Sequence, residues 1–308
     1  MKIGRRKFFK IAAAAGGASV LGKSRPARGV EHFTGWPDRY GVLTDLTRCV
    51  GCRSCEAACN EINKLPQPKV PFEDQSVLEK ERRASSEYYT YVNRYADPKN
   101  KGKWVYRKIQ CNHCDEPACA SACLVKALTK TPEGPVIWNE KVCIGCRYCM
   151  TACPFYVPAY EYSNAFSPNV VKCTMCYQAR VSKGGVPACV EACPMEAMTF
   201  GKRKDLIKVA RKRIMDHPDK YTDHIYGEYE AGGTCWLYIS GVPFEKLGFP
   251  VDVGTKPYPE FTRGFLSMVP AVLVIWPALL GGFYMFTKNR EQEAEEEEVV
   301  PEEKEEWS

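Results

Sequence analysis

Sixteen of the seventeen cysteines in this 308-residue chain fall into four short runs, and nothing else constrains the fold so tightly. Cys49, Cys52, Cys55 and Cys59 are separated by two, two and three residues; Cys143, Cys146, Cys149 and Cys153 repeat that spacing and close on Pro154. Cys111, Cys114, Cys119 and Cys123 are separated by two, four and three, and Cys173, Cys176, Cys189 and Cys193 by two, twelve and three before Pro194. Three thiolates on one tight loop reach three corners of a 4Fe–4S cubane, while the fourth is carried past the loop and ligates a neighbour where clusters come in pairs. One such run therefore implies a partner run. Only Cys235 is left over, and it is expected to be a small buried residue.

So many cysteines in an exported chain would ordinarily raise disulfides. Repeated short runs are not a disulfide pattern, and their spacing favours metal. The first and third runs are specific signals, and the second gains weight in their company. The fourth, taken alone, also fits a zinc site. Zinc for all sixteen thiols is a poor fit, because tri-cysteine loops grip that ion badly, whereas soft thiolates suit iron–sulfur clusters. Gly51 and Gly145 sit inside cluster loops, where the missing Cβ lets backbone N–H groups approach sulfur. Arg48, Arg53, Lys108, Lys141, Arg147 and Lys172 flank the runs and would favour the reduced, more negative cluster; as a group they are expected to be solvated surface residues.

The two ends of the chain are specialised. Gly4-Arg5-Arg6-Lys7-Phe8-Phe9-Lys10 followed by the mildly apolar Ile11-to-Leu21 stretch is a twin-arginine leader, with Ala27 as a candidate cleavage site. That stretch would reach only about 17 Å as a helix, too short for a bilayer core of ~30 Å. Export of already folded protein suits a chain whose clusters must be inserted beforehand. At the other end, Phe265 to Phe286 is 22 residues without a charge, about 33 Å as a helix and enough to span. Pro270 and Pro277 are tolerable in such a setting. If the leader sends the body outward, Lys288 and Arg290 lie inside, in keeping with the positive-inside tendency.

The net charge of +6 conceals this segregation: residues 291–308 carry ten Glu and one Lys, so residues 1–290 hold +15, of which +8 lies in the first 28. About half of the basic excess is leader, which says little about nucleic acid, and no nucleic-acid partner is expected. The acidic end is expected to be disordered.

Between the ends, Tyr40 to Thr47 reads as a short strand entering the first loop. The insert 60–110 has an irregular Pro66-to-Pro71 stretch and strands at Tyr88–Val92 and Trp104–Ile109. Ala127–Lys130 and Val136–Asn139 form a hairpin turning at Glu133-Gly134, and Met198–Gly201 a further strand. Asp205–Met215 is a helix with Leu206, Ala210 and Ile214 on one face. Trp236–Ser240 is a strand candidate in a stretch rich in Gly, Pro and aromatics. The resulting plan is a leader (1–28), a four-cluster domain (29–200), a docking helix and linker (201–264), a transmembrane helix (265–287) and a disordered acidic tail (288–308). The fold class is α+β, with tandem bacterial ferredoxin-like units.

No phosphate loop, nucleophile–base pair or C-x-x-C-H haem motif is present, and His32, His113, His217 and His224 are scattered, none in the span. A string of clusters without a substrate site conducts electrons. The rival classes are a zinc-stabilised membrane scaffold and a self-sufficient oxidoreductase.

The leader, the four runs in this order, the Cys-Pro endings at Cys153 and Cys193 and the single C-terminal span resemble the membrane-anchored, four-cluster, ferredoxin-like subunits of periplasmic respiratory complexes. Those serve hydrogenases, formate dehydrogenase and quinone- or multihaem-cytochrome-linked oxidoreductases. The resemblance implies a non-catalytic subunit with four 4Fe–4S clusters, relaying electrons between a periplasmic redox partner and a quinone-linked membrane subunit. The partner would be a multihaem cytochrome c, a molybdenum enzyme or a nickel–iron hydrogenase. The resemblance also implies that the first run pairs with the fourth and the second with the third. One cluster then takes Cys49, Cys52, Cys55 and Cys193, and its neighbour Cys173, Cys176, Cys189 and Cys59. The other pair takes Cys111, Cys114, Cys119 with Cys153, and Cys143, Cys146, Cys149 with Cys123. Spacing alone does not decide this: nineteen residues separate the second run from the third, and nineteen the third from the fourth. Asn60 and Leu124 stand where the family has proline after the first and second runs.

Overall fold

The structure is a computed structural model and describes residues 38–164 and 168–298. The leader lies outside these residues.

The fold is built on β1 (Tyr40–Asp45), whose residues from Gly41 to Asp45 are all buried. An unbroken buried run marks a strand covered on both faces, and β1 is indeed central. Strands β2 (Tyr91–Ala96) and β3 (Trp104–Ile109) pair antiparallel in the insert, β4 (Leu128–Lys130) pairs with β5 (Val136–Trp138), and β6 (Ala159–Tyr160) with β7 (Val170–Val171). β8 (Met198–Lys202) lies antiparallel to β1 with Tyr40 opposite Lys202, and β9 (Trp236–Ile239) lies parallel to it with Val42 opposite Trp236.

The segment expected as docking helix and linker is part of this core. The helix of the Leu206–Ala210–Ile214 face spans Arg203–Asp216, and that face packs with Leu43, Leu237 and Ile239 on one side of the sheet. The opposite side buries Val42, Trp236 and Tyr238 with Tyr226, Phe244 and Phe249. Composition suggested a connection because this stretch has no long apolar period. Its aromatics instead pack ring on ring, with Tyr226 and Phe249 4.5 Å apart and Tyr238 and Phe249 5.0 Å apart, each edge to face.

In the insert, the first strand begins three residues later than expected. Tyr88 is held in a local turn, its hydroxyl donating to the Arg83 carbonyl at 2.6 Å and its ring under the Arg82 guanidinium. The hairpin β4–β5 turns through Gly134 at φ 115°, as expected.

Four helices each begin inside a cysteine run: α1 (Ser54–Asn63), α2 (Ala118–Ser121), α3 (Tyr148–Ala152) and α4 (Ala188–Glu191). α1 packs on α4 and α2 on α3, which divides the chain into two units. Between them, Asp115 accepts an ion pair from Arg39 at the start of β1, and the Cys235 N–H donates to the Asn112 carbonyl at 3.1 Å.

With the Arg203–Asp216 helix as α5, the last element is α6 (Tyr258–Glu298), which contains Pro270 and Pro277 and is long and apolar enough to cross a membrane. Its apolar side chains, such as Leu273 and Val274, are exposed along its length, as a lipid-covered helix requires. The helix runs through Glu298 and so overturns the expected disorder over its share of the tail. Glutamate is a good helix former, and a helix already nucleated extends at little cost. Residues 299–308 lie outside the described residues.

Candidate iron–sulfur centres

The first and third loops share a backbone. Gly51 and Arg53 are left-handed at φ 71° and 64°, and Gly145 and Arg147 at 67° and 62°. Two left-handed residues in such short succession fold the C-x-x-C-x-x-C segment back on itself and start the helix that carries the later thiols. Further on, backbone N–H groups are aimed at sulfur: Met175 donates to Cys173 at 3.3 Å, Ala127 to Cys123 at 3.1 Å and Ala197 to Cys193 at 3.3 Å.

All seventeen cysteines are free of disulfides. The sulfurs that act on one another link the first run to the fourth and the second to the third. Cys49 feels Cys193 and Cys52, and Cys55 feels Cys189 ahead of Cys49. Cys59 feels Cys173, Cys189 and Cys176. Cys114 feels Cys153, Cys111 and Cys119, and Cys149 feels Cys143, Cys146 and Cys123. Two sets of four cysteines line small cavities, one bounded by Cys49, Cys52, Cys55 and Cys193 and the other by Cys111, Cys114, Cys119 and Cys153.

Thiols spread around a cavity fit a polynuclear core. Burial pushes the Cys49 and Cys153 thiols up to about 11 and those of Cys119 and Cys173 up to about 12, so a metal that binds them as thiolates must displace the proton.

The flanking cations divide in a way the sequence did not foretell. Arg48, Lys141 and Arg147 are exposed as expected, but Arg53, Lys108 and Lys172 are only 2 %, 2 % and 3 % exposed. Arg53 donates to the carbonyls of Pro71 and Asp74 at 2.8 and 2.7 Å and pairs with the buried Glu56. Lys172 donates to the carbonyls of Val136 and Cys173.

His113, inside the second run, is another residue whose place only the fold reveals. The Val136 N–H donates to its Nδ1 at 2.9 Å, which leaves the ring proton on Nε2, a buried donor without a protein acceptor. Burial first, then the ammonium groups of Lys172, Lys130 and Lys108, hold its pKa well below the usual histidine range. A neutral buried N–H donor and buried ammonium groups suit an environment that receives anionic, sulfur-rich clusters. The sign of this in the sequence was a histidine inside a C-x-x-C. Cys235 is fully buried, as expected.

Two family models describing a 4Fe-4S dicluster domain match, over residues 48–127 and 102–203. A protein of Nitratidesulfovibrio vulgaris is 52% identical over 96% of this chain and 80% of its own length. The hydrogenase-2 operon protein HybA of Escherichia coli O157:H7 is 37% identical over 80% of this chain and 83% of its own. The iron-sulfur subunit of the nitrate-inducible formate dehydrogenase of Escherichia coli is 30% identical over 83% of this chain and 88% of its own. Paired dicluster matches, relatives aligned over most of their length and cysteine groups drawn from both members of a helix pair lead to one assignment: the chain belongs to the ferredoxin-like iron–sulfur electron-transfer subunits of respiratory oxidoreductases, not to their catalytic subunits.

Proposed function

We propose that this chain relays electrons through four 4Fe–4S clusters between a periplasmic redox partner and a quinone-linked membrane subunit, anchored by α6 with the cluster domain on the periplasmic side. The observation that carries the reading is the pair of cysteine-lined cavities. Each is bounded by three thiols of one run and the last thiol of the run whose helix packs against it. The clusters would thus be held by Cys49, Cys52, Cys55 and Cys193; by Cys173, Cys176, Cys189 and Cys59; by Cys111, Cys114, Cys119 and Cys153; and by Cys143, Cys146, Cys149 and Cys123.

Bound clusters supply reversible one-electron storage. The chain does the rest: left-handed loops point thiols inward, backbone N–H groups bond to the sulfurs, and the packed helices α1–α4 and α2–α3 bring paired groups close. The orientation rests on the twin-arginine leader and on Lys288 and Arg290 after the span. The relatives are named for hydrogenase, formate dehydrogenase and dimethyl sulfoxide reductase systems, which supports an oxidoreductase partner of the hydrogenase or molybdenum-enzyme kind.

Iron and acid-labile sulfide analysis of the anaerobically purified chain tests the cofactor. About sixteen iron atoms per chain are expected, with electron paramagnetic resonance (EPR) signals after dithionite. A colourless, EPR-silent protein that binds zinc would overturn the proposal. Copurification after mild detergent extraction identifies the partner.

A further inference from the structure

Lys108 lies on β3 and is almost wholly withdrawn from water. Its ammonium donates to the Gln110 side-chain oxygen at 2.9 Å and stands 4.6 Å from the centre of the Trp236 ring. Neither partner carries a charge. Its side chain borders the cavity lined by Cys49, Cys52, Cys55 and Cys193. The sulfurs acting on it come from both halves of the pair: Cys189 and Cys173 on one side, Cys55 on the other. A cation withdrawn from water needs an anion nearby, and here the available anions are cluster ligands.

We propose that Lys108 is the shared counter-charge of the two clusters of the first unit, raising the reduction potentials of both together so that electrons pass between them without a large step. The inference rests on the four-cluster reading above. A cluster with four thiolate ligands is anionic and becomes more so on reduction, so a fixed cation between two of them stabilises the reduced form of each. Reduction adds one electron to either centre, forms and breaks no bond, and leaves the protons on Lys108.

The test is a potentiometric EPR titration of the full chain in its complex. In Lys108→Met, which keeps most of the length and removes the charge, two midpoints are expected to fall together while those of the second unit hold. Gln110→Glu leaves Lys108 in place and sets a carboxylate where its 2.9 Å acceptor now stands; both first-unit midpoints are again expected to fall. Lys108→Arg keeps the charge and should keep the midpoints. Cluster-loaded Lys108→Met with unchanged midpoints, or with only one lowered, overturns the inference. If Lys108→Met does not assemble, Gln110→Glu decides by the same criterion. A wild-type chain without iron is a separate result, which removes the four-cluster reading itself.

Discussion

The first and third cysteine runs have the same spacing and nearly the same backbone, yet they occupy different surroundings. Around the first, Arg53 is buried and ties the loop to the Pro-rich stretch of the insert, while the Tyr106 ring covers Gly51 so closely that a Cβ there would come within 2.3 Å of it. Around the third, Arg147 is exposed above the Tyr160 ring, a Cβ on Gly145 would meet nothing nearer than 3.4 Å, and Ile144 and Tyr148 are 63 % and 54 % exposed. Cys146 is itself exposed. A motif of this kind specifies how thiols are presented; chain elements far away in sequence specify how wet the result is. Exposure and nearby charge both set cluster potential, so two identical motifs need not give two equivalent centres.

The sharpest way to break this comparison is to add one methyl group at each glycine. Both positions pay the left-handed strain, about 1–2 kcal/mol, but only Gly51→Ala also collides with a packed ring. Gly51→Ala is expected to lose the cluster of its loop, about a quarter of the bound iron, while Gly145→Ala keeps its full content; iron analysis distinguishes them. Equal loss from both would mean that the backbone alone governs assembly.

Exposure should also order the response to oxidants. On brief ferricyanide treatment, the centre proposed for Cys123, Cys143, Cys146 and Cys149 should lose iron first, because attack follows access. Single substitutions of Cys146 and Cys55 to Ala, followed by EPR, reveal which centre has changed.

Arginine at the shared position gives a smaller contrast. Arg53→Ala removes a partner of the buried Glu56 and two short carbonyl contacts, and should cost about 3 kcal/mol. Arg147→Ala gives up only its solvent-exposed stacking over the Tyr160 and Tyr162 rings and should stay within about 0.5 kcal/mol. Thermal unfolding of the anaerobic, loaded protein measures both.

The smallest effect is electrostatic and confined to the covered unit. The hydrogen bond between His224 Nε2 and Glu230, 2.6 Å long, raises the His224 pKa above its ordinary value, aided by the charge of Glu230 and opposed by partial burial. A raised folded-state pKa contributes stability that is full below the unfolded value, about 6.5, and is lost as pH rises through the higher folded value. The group is half exposed, so the change should be only a few tenths of a kcal/mol. His224→Gln should flatten that slope in denaturant titrations across the neutral range.

Much of this was legible from local pattern. The hairpin turn at Gly134, the strands at Tyr40 and Trp104, the helix face of Leu206, Ala210 and Ile214 and the apolar C-terminal helix all follow from short-range periodicity and turn chemistry. Residues 201–264 were misjudged as docking helix and linker, because their role depends on Trp236 pairing beside Val42 and on rings meeting across the sheet. The acidic end through Glu298 was misjudged from composition, which carries no information about a helix arriving from upstream.

The sequence by itself determined the candidate ligands: sixteen thiols, at spacings that suit a tight loop running into a helix, and a charge-free stretch long enough for a bilayer. The tertiary structure decided which cations those loops keep. Arg53, Lys108 and Lys172 look no different along the chain from Arg48, Lys141 and Arg147, yet the first three are buried and the others solvated. The reason is that ligand spacing is a property of a dozen neighbouring residues, whereas burial is produced by partners such as Trp236 over Lys108, more than a hundred residues away.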